Sequence, residues 1–528
     1  MVGSDAAIAA DGLPPAVRVP HRGNDLFRVR RSLPPLPVRS RRHTFTWPAV
    51  TDDGPSVSVR TKGTAVATNA HRLTAVTALG ISAALGISTA LASPAALASS
   101  ADDTLLPVPA PEVEGPLPGR VPGAPGADDV EDTYPFFATT ENLDLHDYVE
   151  EEFLISGTAN RYSDGEVVSE HPYLTRVLVR RPADPRDSNG TALAEWQNVS
   201  AGNDLDALWG PSARHIMRSG YTWVGVSAQN VGVSHLTEWS PARYGRLDVT
   251  DGGTVPDDQL SYDIFSQAAQ ALRSSGELTG GIGIDQVLAV GASQSAGRMT
   301  VYYEEVLPHI EPVFDGYGFI VGQAPEADRP EPVFQVLSET DVAWIGPAED
   351  TETFRRWEVA GTAHSGWAGR QARKETEVRD FGRQPQYDCV EPPFSRVPLH
   401  HVLNASYDHL SEWAADGTPP PVAEPIRRTG QGEIVRDEDG FAEGGIRLSQ
   451  VEVPTALNTG GNAPAAPEDY FCVLFGSHVP FDEDELAERY RSHGQYVWAV
   501  NSVEKENVRE GYVTRADSLR TRLEAARR

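Results

Sequence analysis

Apolar stretches of strand length alternate with amphipathic stretches of helix length from about residue 133 onward. This alternation is typical of a mostly parallel β-sheet covered by helices, so the predicted fold class is α/β. Seven stretches are predicted as strands: 174–180, 192–198, 221–227, 286–291, 317–321, 333–337 and 356–360. The apolar spacing predicts helices at 214–219, 259–274, 297–306, 399–415 and 483–493.

The N-terminal region contains a segment with the form of an export signal. No charged residue occurs between Leu73 and Ala101, and the small-x-small pattern Ala96-Leu97-Ala98 lies near the end of this stretch. A signal peptidase needs such a pattern, so we expect cleavage after Ala98 and a secreted protein. The many Ala, Ser, Thr and Gly residues make the stretch only weakly apolar, which favours a cleaved signal at 73–98 over a membrane anchor.

Two segments of biased composition flank this signal. Residues 1–72 are rich in Pro and Arg, which predicts a disordered leader or a start site placed too early. Residues 99–132 are rich in Pro and Gly and lack periodicity, which predicts a linker. We therefore expect the catalytic core at 133–364 and a C-terminal extension at 365–528.

The net charge of the chain limits its possible partners. The 528 residues include 75 acidic and 45 basic residues, a net charge of −30, and the acidic excess lies after residue 98. Such a surface repels nucleic acid and anionic lipid, so we expect no nucleic-acid partner and no stable membrane association after cleavage.

The two cysteines, Cys389 and Cys472, are predicted to form a disulfide in an oxidising compartment, with two separate buried thiols as the alternative.

A candidate nucleophile follows the predicted strand 286–291. Residues 286–297 read QVLAVGASQSAG, so Ser293 stands between a strand and a helix, with small residues two positions away at Gly291 and Ser295. A nucleophile elbow needs these small residues because its backbone is strained. Ser295 also has small residues on both sides and is the alternative nucleophile. Ser293 is preferred because it follows the strand immediately.

Candidates for the acid and the base follow the next strands. Asp341 lies in the polar turn after strand 333–337, and Glu339 in the same turn is the alternative acid. His364 lies in a small-residue turn after strand 356–360. The order Ser, acid, His and the position of each after a strand match a Ser-Asp-His triad at the carboxyl edge of an α/β sheet.

Acyl transfer also needs donors for the developing oxyanion. The backbone N–H of Gln294, which directly follows the nucleophile, is the first candidate. Asn198 and Val199, in the loop after strand 192–198, are candidates for the second donor.

Several of these segments resemble a known group, the bacterial α/β-hydrolase-domain proteins with a Gly-x-Ser-Gln-Ser elbow. The similar segments are 195–200, 221–229, 291–298, 338–341, 357–364, 444–447 and 453–456. The resemblance extends from about Thr133 to the C-terminus. It implies an α/β-hydrolase fold, a serine-hydrolase mechanism and a C-terminal extension that packs on the same domain as a candidate lid. This chain departs from its relatives at Ala296-Gly297, where they usually have Gly directly after the second serine.

The predicted function is hydrolysis of a small-molecule or polymeric carboxylic ester through an acyl-enzyme. No cofactor is expected, and no metal, because motifs such as His-Glu-x-x-His are missing from the sequence. Three alternatives stay open: an acyltransferase with the same triad, a peptidase, and an exported binding protein on a hydrolase scaffold.

Overall fold

The predicted strands pair into one central sheet. The computed structural model describes residues 105–119, 123–163 and 166–527. The predicted leader, signal peptide and cleavage site after Ala98 lie outside these residues. None of the helices in the described part of the chain is long and apolar enough to cross a membrane.

In the described residues, nine strands form the central sheet, and the last two strands form a separate antiparallel pair. Helices and loops connect the strands. The strands are β1 (Glu112–Glu114), β2 (Tyr148–Ser163), β3 (Glu166–Pro182), β4 (Thr191–Trp196), β5 (Thr222–Val226), β6 (Gln286–Ala292), β7 (Gly316–Ile320), β8 (Val333–Ser338), β9 (Phe354–Val359), β10 (Ala456–Thr459) and β11 (Ser477–Pro480). The helices are α1 (Trp209–Arg218), α2 (Asn230–Trp239), α3 (Pro241–Tyr244), α4 (Ser261–Ser274), α5 (Gln294–Val301), α6 (Glu339–Val342), α7 (Trp367–Ala372), α8 (Lys374–Phe381), α9 (Leu399–Asp416), α10 (Ser449–Glu452), α11 (Glu483–Arg489), α12 (His493–Arg509) and α13 (Arg515–Arg527).

Parallel pairing dominates the central sheet. The neighbouring strands β5-β4-β6-β7-β8-β9 run parallel. Strand β3 joins this block antiparallel to β5, and β2 and β1 extend the sheet outward, also antiparallel. The prediction of a mostly parallel sheet flanked by helices is confirmed, and the seven predicted strands correspond to β3 to β9.

Strands β1 and β2, at the antiparallel end of the central sheet, were not predicted, and neither were β10 and β11. The long β2 contains the acidic run Glu150–Glu152, which looks like an exposed turn, but these acids face arginines across the strand pair. Arg180 Nε lies 2.7 Å from Glu150 Oε2, and Arg181 Nη2 lies 2.6 Å from Glu151 Oε2. Strand β1 falls in the predicted linker and pairs with β2, so this part of the linker belongs to the sheet. Three residues among prolines are too few to show a strand pattern.

The prediction of one helix at 483–493 is wrong. Helix α11 ends at Arg489, and Tyr490 adopts an extended backbone with φ −129° and ψ 111°. A new helix, α12, then begins at His493. Its N-terminus is capped by Ser492, whose Oγ accepts a hydrogen bond from the backbone N–H of Gln495 at 3.2 Å.

Alternate residues of the central strands pack into two apolar layers. In β6, Val287 belongs to the layer that also contains Phe265 of α4, whereas the next residue, Leu288, belongs to the layer that contains Ile216 of α1. This alternation follows from the two-residue period of a strand and leaves both faces of the sheet covered.

Helix α9, from the C-terminal extension, covers one face of the sheet. Its residues Val402, Tyr407 and Leu410 are buried in the same apolar layer as Leu288. Gly316 of β7 makes room for it, because a Cβ there would lie 3.2 Å from a methyl carbon of Leu410. The extension therefore contributes to the core beneath the sheet.

A buried carboxylate joins the antiparallel edge to the rest of the fold. The Glu152 side chain is fully buried, with Oε1 2.7 Å from Nε of Arg176 and Oε2 2.5 Å from Nε of Arg243. The hydroxyl of Tyr244 donates to Oε1 at 2.7 Å, and Nη1 of Arg243 donates to the carbonyl of Pro118 at 2.6 Å. Strands β2 and β3 and helix α3 thus meet at one carboxylate, and Arg243 links the N-terminal segment to it.

We expect Glu152→Gln to lower the free energy of unfolding by about 3–5 kcal/mol, because it removes the counter-charge of the buried Arg243 and leaves Arg176 with only the more distant Asp204, at 3.7 Å. Glu114→Gln is the matched control, since Glu114 pairs with Arg246 at 2.5 Å on the surface, with more than half of each side chain exposed. This control is expected to cost about 0–1 kcal/mol. Urea denaturation measures the free energy of unfolding of both variants. Equal losses in the two would contradict a structural role for the buried Glu152 carboxylate.

Candidate active site

Ser293 occupies the sharp turn between β6 and α5. Its backbone has φ 58° and ψ −117°, a conformation that is costly for any residue with a side chain. A turn of this kind raises the serine hydroxyl above the carboxyl edge of the sheet, as in a nucleophile elbow. Ser293 lines a cavity of about 600 Å³ at that edge.

Glycines allow α5 to pack closely behind this turn. A Cβ on Gly291 would lie 2.6 Å from Sδ of Met299, and a Cβ on Gly322 would lie 2.6 Å from Cβ of Ala296. Both approaches are too close for any larger residue without movement. Ala296 therefore fits at this position because Gly322, just beyond β7, supplies the space.

Ser295, the alternative nucleophile, is fully buried below the turn. Its Oγ donates to the carbonyl of Ala292 at 3.0 Å and accepts from the N–H of the same residue at 3.0 Å. The hydroxyl thus holds the end of β6, and only Ser293 of the two serines lines the cavity.

Asp341 and His364 are directly hydrogen-bonded. Nδ1 of His364 lies 2.6 Å from Oδ1 of Asp341, with the imidazole 10% and the carboxylate 2% exposed. The other carboxylate oxygen accepts from the backbone N–H and the hydroxyl of Ser338, at 3.1 and 2.5 Å. A carboxylate only accepts, so this arrangement assigns the proton to Nδ1 and leaves the free lone pair on Nε2. His364 lines the same cavity as Ser293.

Glu339, the alternative acid, bonds to other groups. Oε2 accepts from the N–H of Gly361 at 2.6 Å, and Oε1 accepts from the N–H of Gly460 at 2.9 Å. Oε1 also lies 2.7 Å from Nη2 of Arg436. The carboxylate therefore holds the turn before His364 and two parts of the C-terminal extension.

The backbone N–H groups of the three predicted oxyanion donors differ in the hydrogen bonds that they already make. Gln294 is the first residue of α5, so its N–H has no acceptor within the helix. The N–H of Asn198 donates to the carbonyl of Leu205 at 3.3 Å, within a backbone bridge between these two residues. The N–H of Val199 donates to Oε1 of Gln294 at 3.3 Å, so it lies next to the elbow.

Gln229, for which the sequence predicted no role, pairs with the side chain of Gln294. Nε2 of Gln294 donates to Oε1 of Gln229 at 2.5 Å, and Nε2 of Gln229 donates back to Oε1 of Gln294 at 3.3 Å. Gln229 also donates to the carbonyl of Gln197 at 3.2 Å. The pair connects the ends of β4, β5 and β6. Its sequence signal is a polar residue shortly after the carboxyl end of β5.

Aromatic residues from distant parts of the chain form much of the cavity wall. Phe137 and Phe381 contribute one side, and Tyr387, Phe471 and Phe475 contribute another. The predicted disulfide is present: Cys389 and Cys472 are bonded, with their Cα atoms 5.6 Å apart. It joins the two segments that carry the second side.

Two further histidines line the cavity. Burial lowers the pKa of His235, and it lowers that of His400 well below the usual range, so both are neutral at pH 7. In residues 105–527, apart from the short gaps, no group of His, Cys, Asp and Glu side chains is arranged to hold a metal ion.

Several solved structures are similar to this one. XC6422 of Xanthomonas campestris, an α/β serine hydrolase, shares 16% identity over 43% of this chain and 93% of its own, with a TM-score of 0.24. An α/β serine hydrolase homologue of Coxiella burnetii shares 12% identity over 40% and 92%, with a TM-score of 0.23. The rice cell wall degrading esterase LipA of Xanthomonas oryzae shares 15% identity over 33% and 43%, with a TM-score of 0.20.

No match to this chain was found among curated proteins. The family described as alpha/beta hydrolase domain matches residues 113–522, which is more than half of the chain. This range includes the elbow, both turns beside it and most of the C-terminal extension. The chain therefore belongs to the α/β hydrolase domain family.

Proposed function

We propose that the protein is an exported carboxylic-ester hydrolase with Ser293 as nucleophile, His364 as base and Asp341 as the acid that orients the base. The observation that carries this proposal is the 2.6 Å contact between Asp341 and His364 at a cavity that also contains the strained Ser293. The disulfide supports export, because such bonds persist in oxidising compartments.

In the first half of the reaction, Oγ of Ser293 attacks the ester carbonyl while Nε2 of His364 takes the hydroxyl proton. Asp341 stabilises the imidazolium that forms. The N–H groups of Gln294 and Val199 donate to the oxyanion of the tetrahedral intermediate. Collapse of this intermediate breaks the ester C–O bond, and the alcohol leaves with the proton from His364.

In the second half, water attacks the acyl-enzyme. Nε2 of His364 takes a proton from the water, and the same two N–H groups stabilise the second tetrahedral intermediate. Ser293 is then released with the proton from His364, and the carboxylic acid leaves. The net reaction consumes one ester and one water and needs no cofactor.

We expect a fluorophosphonate probe to label Ser293, since such probes react with activated serines without knowledge of the substrate. Ser293→Ala should abolish labelling and lower kcat on a p-nitrophenyl ester by at least about 10⁴-fold. Peptide mapping of the adduct by mass spectrometry identifies the labelled residue.

Ser295→Ala is the matched control two residues away. It removes the hydrogen bonds to Ala292 and is expected to cost about 1 kcal/mol of stability while Ser293 stays labelled. An adduct on Ser295 would move the elbow by two residues. A folded protein without any adduct would contradict the enzymatic proposal and favour a binding scaffold.

A second comparison separates the two acids. We expect Asp341→Asn to lower kcat by about 10³–10⁴-fold, because an amide no longer fixes the tautomer of His364. Glu339→Gln should lower thermal stability through its lost ion pair with Arg436, with a smaller effect on kcat, about tenfold or less. Steady-state kinetics and thermal unfolding measure both. A larger loss of kcat in Glu339→Gln than in Asp341→Asn would exchange their roles.

A further inference from the structure

The ionised side chains that line the catalytic cavity carry a net positive charge, whereas the chain as a whole is acidic. Among the described residues these side chains are Arg373, Arg383 and Glu377. Two cations thus face one anion, in a chain whose net charge is −30. The general surface repels anions, so this local excess of positive charge marks a place that favours them.

Arg373 is largely buried and only loosely bound. Its side chain is 16% exposed, with Nε 3.6 Å from Oε1 of Glu377 and Nη2 donating to Oγ of Ser365 at 3.4 Å. Hydrogen bonds of a guanidinium to a carboxylate are normally about 2.7–2.9 Å long, and the group has five N–H donors. Arg373 therefore keeps donors for a further acceptor.

Glu377 does not fully neutralise the charge of Arg373, because the same carboxylate also lies near Arg370. Its Oε2 also lies 3.5 Å from Nη1 of Arg370, a side chain that is 9% exposed. Arg370 donates to the carbonyl of Pro385 and packs over Tyr387 and Phe394, so it is held in the wall. One carboxylate is thus shared by two arginines. Asp206, a second acid that interacts with Arg373, is already bound by Nη1 of Arg180 at 2.7 Å.

We propose that the natural substrates are esters that carry a carboxylate, and that Arg373 binds this carboxylate while the exposed Arg383 adds to the attraction at the cavity rim. Arg373 bonds to Ser365, the residue after His364, which puts the anion site next to the base. The planar guanidinium matches a carboxylate with two parallel hydrogen bonds. This inference rests on the proposed ester hydrolysis and specifies its substrate class.

The test compares two pairs of esters that differ in one charge. The first pair is mono-p-nitrophenyl glutarate and p-nitrophenyl valerate, with the charge in the acyl part. The second pair is 4-acetoxybenzoate and its methyl ester, with the charge in the alcohol part. Each kcat/KM is divided by the rate constant for hydroxide hydrolysis of the same ester, so the ratio within a pair reports recognition. We expect a ratio of roughly 10–100 in favour of the anion in at least one pair.

Arg373→Met removes the guanidinium and keeps an apolar stem, so it should lower this ratio at least about fivefold and leave only the smaller contribution of Arg383. Arg383→Gln, at an exposed position, should lower the ratio about two- to tenfold. Arg186→Met is the matched control, since Arg186 is an 88% exposed arginine outside the cavity and should leave the ratio unchanged. A ratio near or below one in both pairs for the unmodified protein would overturn the inference, as would an unchanged ratio in Arg373→Met.

Inhibition of the unmodified protein keeps the test decisive if Arg373→Met does not fold. Glutarate should inhibit valerate-ester hydrolysis competitively and at least about tenfold more tightly than glutaramide. Equal inhibition by both would overturn the inference. Equal turnover of charged and neutral esters contradicts only the anion site, whereas the absence of both ester turnover and a fluorophosphonate adduct contradicts the proposed function itself.

Discussion

The carboxylate of Glu339 joins three segments that must meet for Asp341 and His364 to face each other. It accepts from the turn that precedes His364, from the loop at Gly460 and from Arg436. The neighbouring Thr340 repeats this connection, because its hydroxyl donates to the carbonyl of Gly460 at 2.6 Å and accepts from the N–H of His364 at 3.2 Å. The short contact between Asp341 and His364 therefore depends on hydrogen bonds to residues far along the chain.

Several of these distant residues belong to the C-terminal extension, which therefore supports the site directly. Gly460 approaches so closely that a Cβ there would lie 2.4 Å from the backbone nitrogen of Thr340. Helix α9 fills the apolar layer beneath the sheet, and the disulfide holds two segments of the cavity wall. The extension thus supplies core, wall and support for the catalytic turns. Without it, the cavity would lose these walls, and Glu339 would lose its bonds to Gly460 and Arg436.

The sequence predicted the parts of the fold that rest on local patterns. Buried parallel strands such as β6 are continuous apolar runs, and the elbow and both catalytic turns follow such runs directly. The strand β2 was missed because its acids become buried only through arginines on β3, a pairing that no local pattern contains. Gln229 and Arg373 were missed for the same reason, since each acquires its position from residues that are close only in the folded chain.

The amide pair of Gln229 and Gln294 shows how a neutral network can prepare a site for charge. Oε1 of Gln294 accepts from the N–H of Val199 at 3.3 Å, a long bond between neutral groups. In the proposed reaction a negatively charged oxygen above Ser293 would be a stronger acceptor than the amide, so transfer of the Val199 N–H from Gln294 to the oxyanion would be favourable. Gln229 meanwhile keeps the Gln294 side chain bonded at 2.5 Å. In that reaction the Val199 N–H would start next to the oxyanion, and Oε1 of Gln294 would keep its hydrogen bond from Nε2 of Gln229.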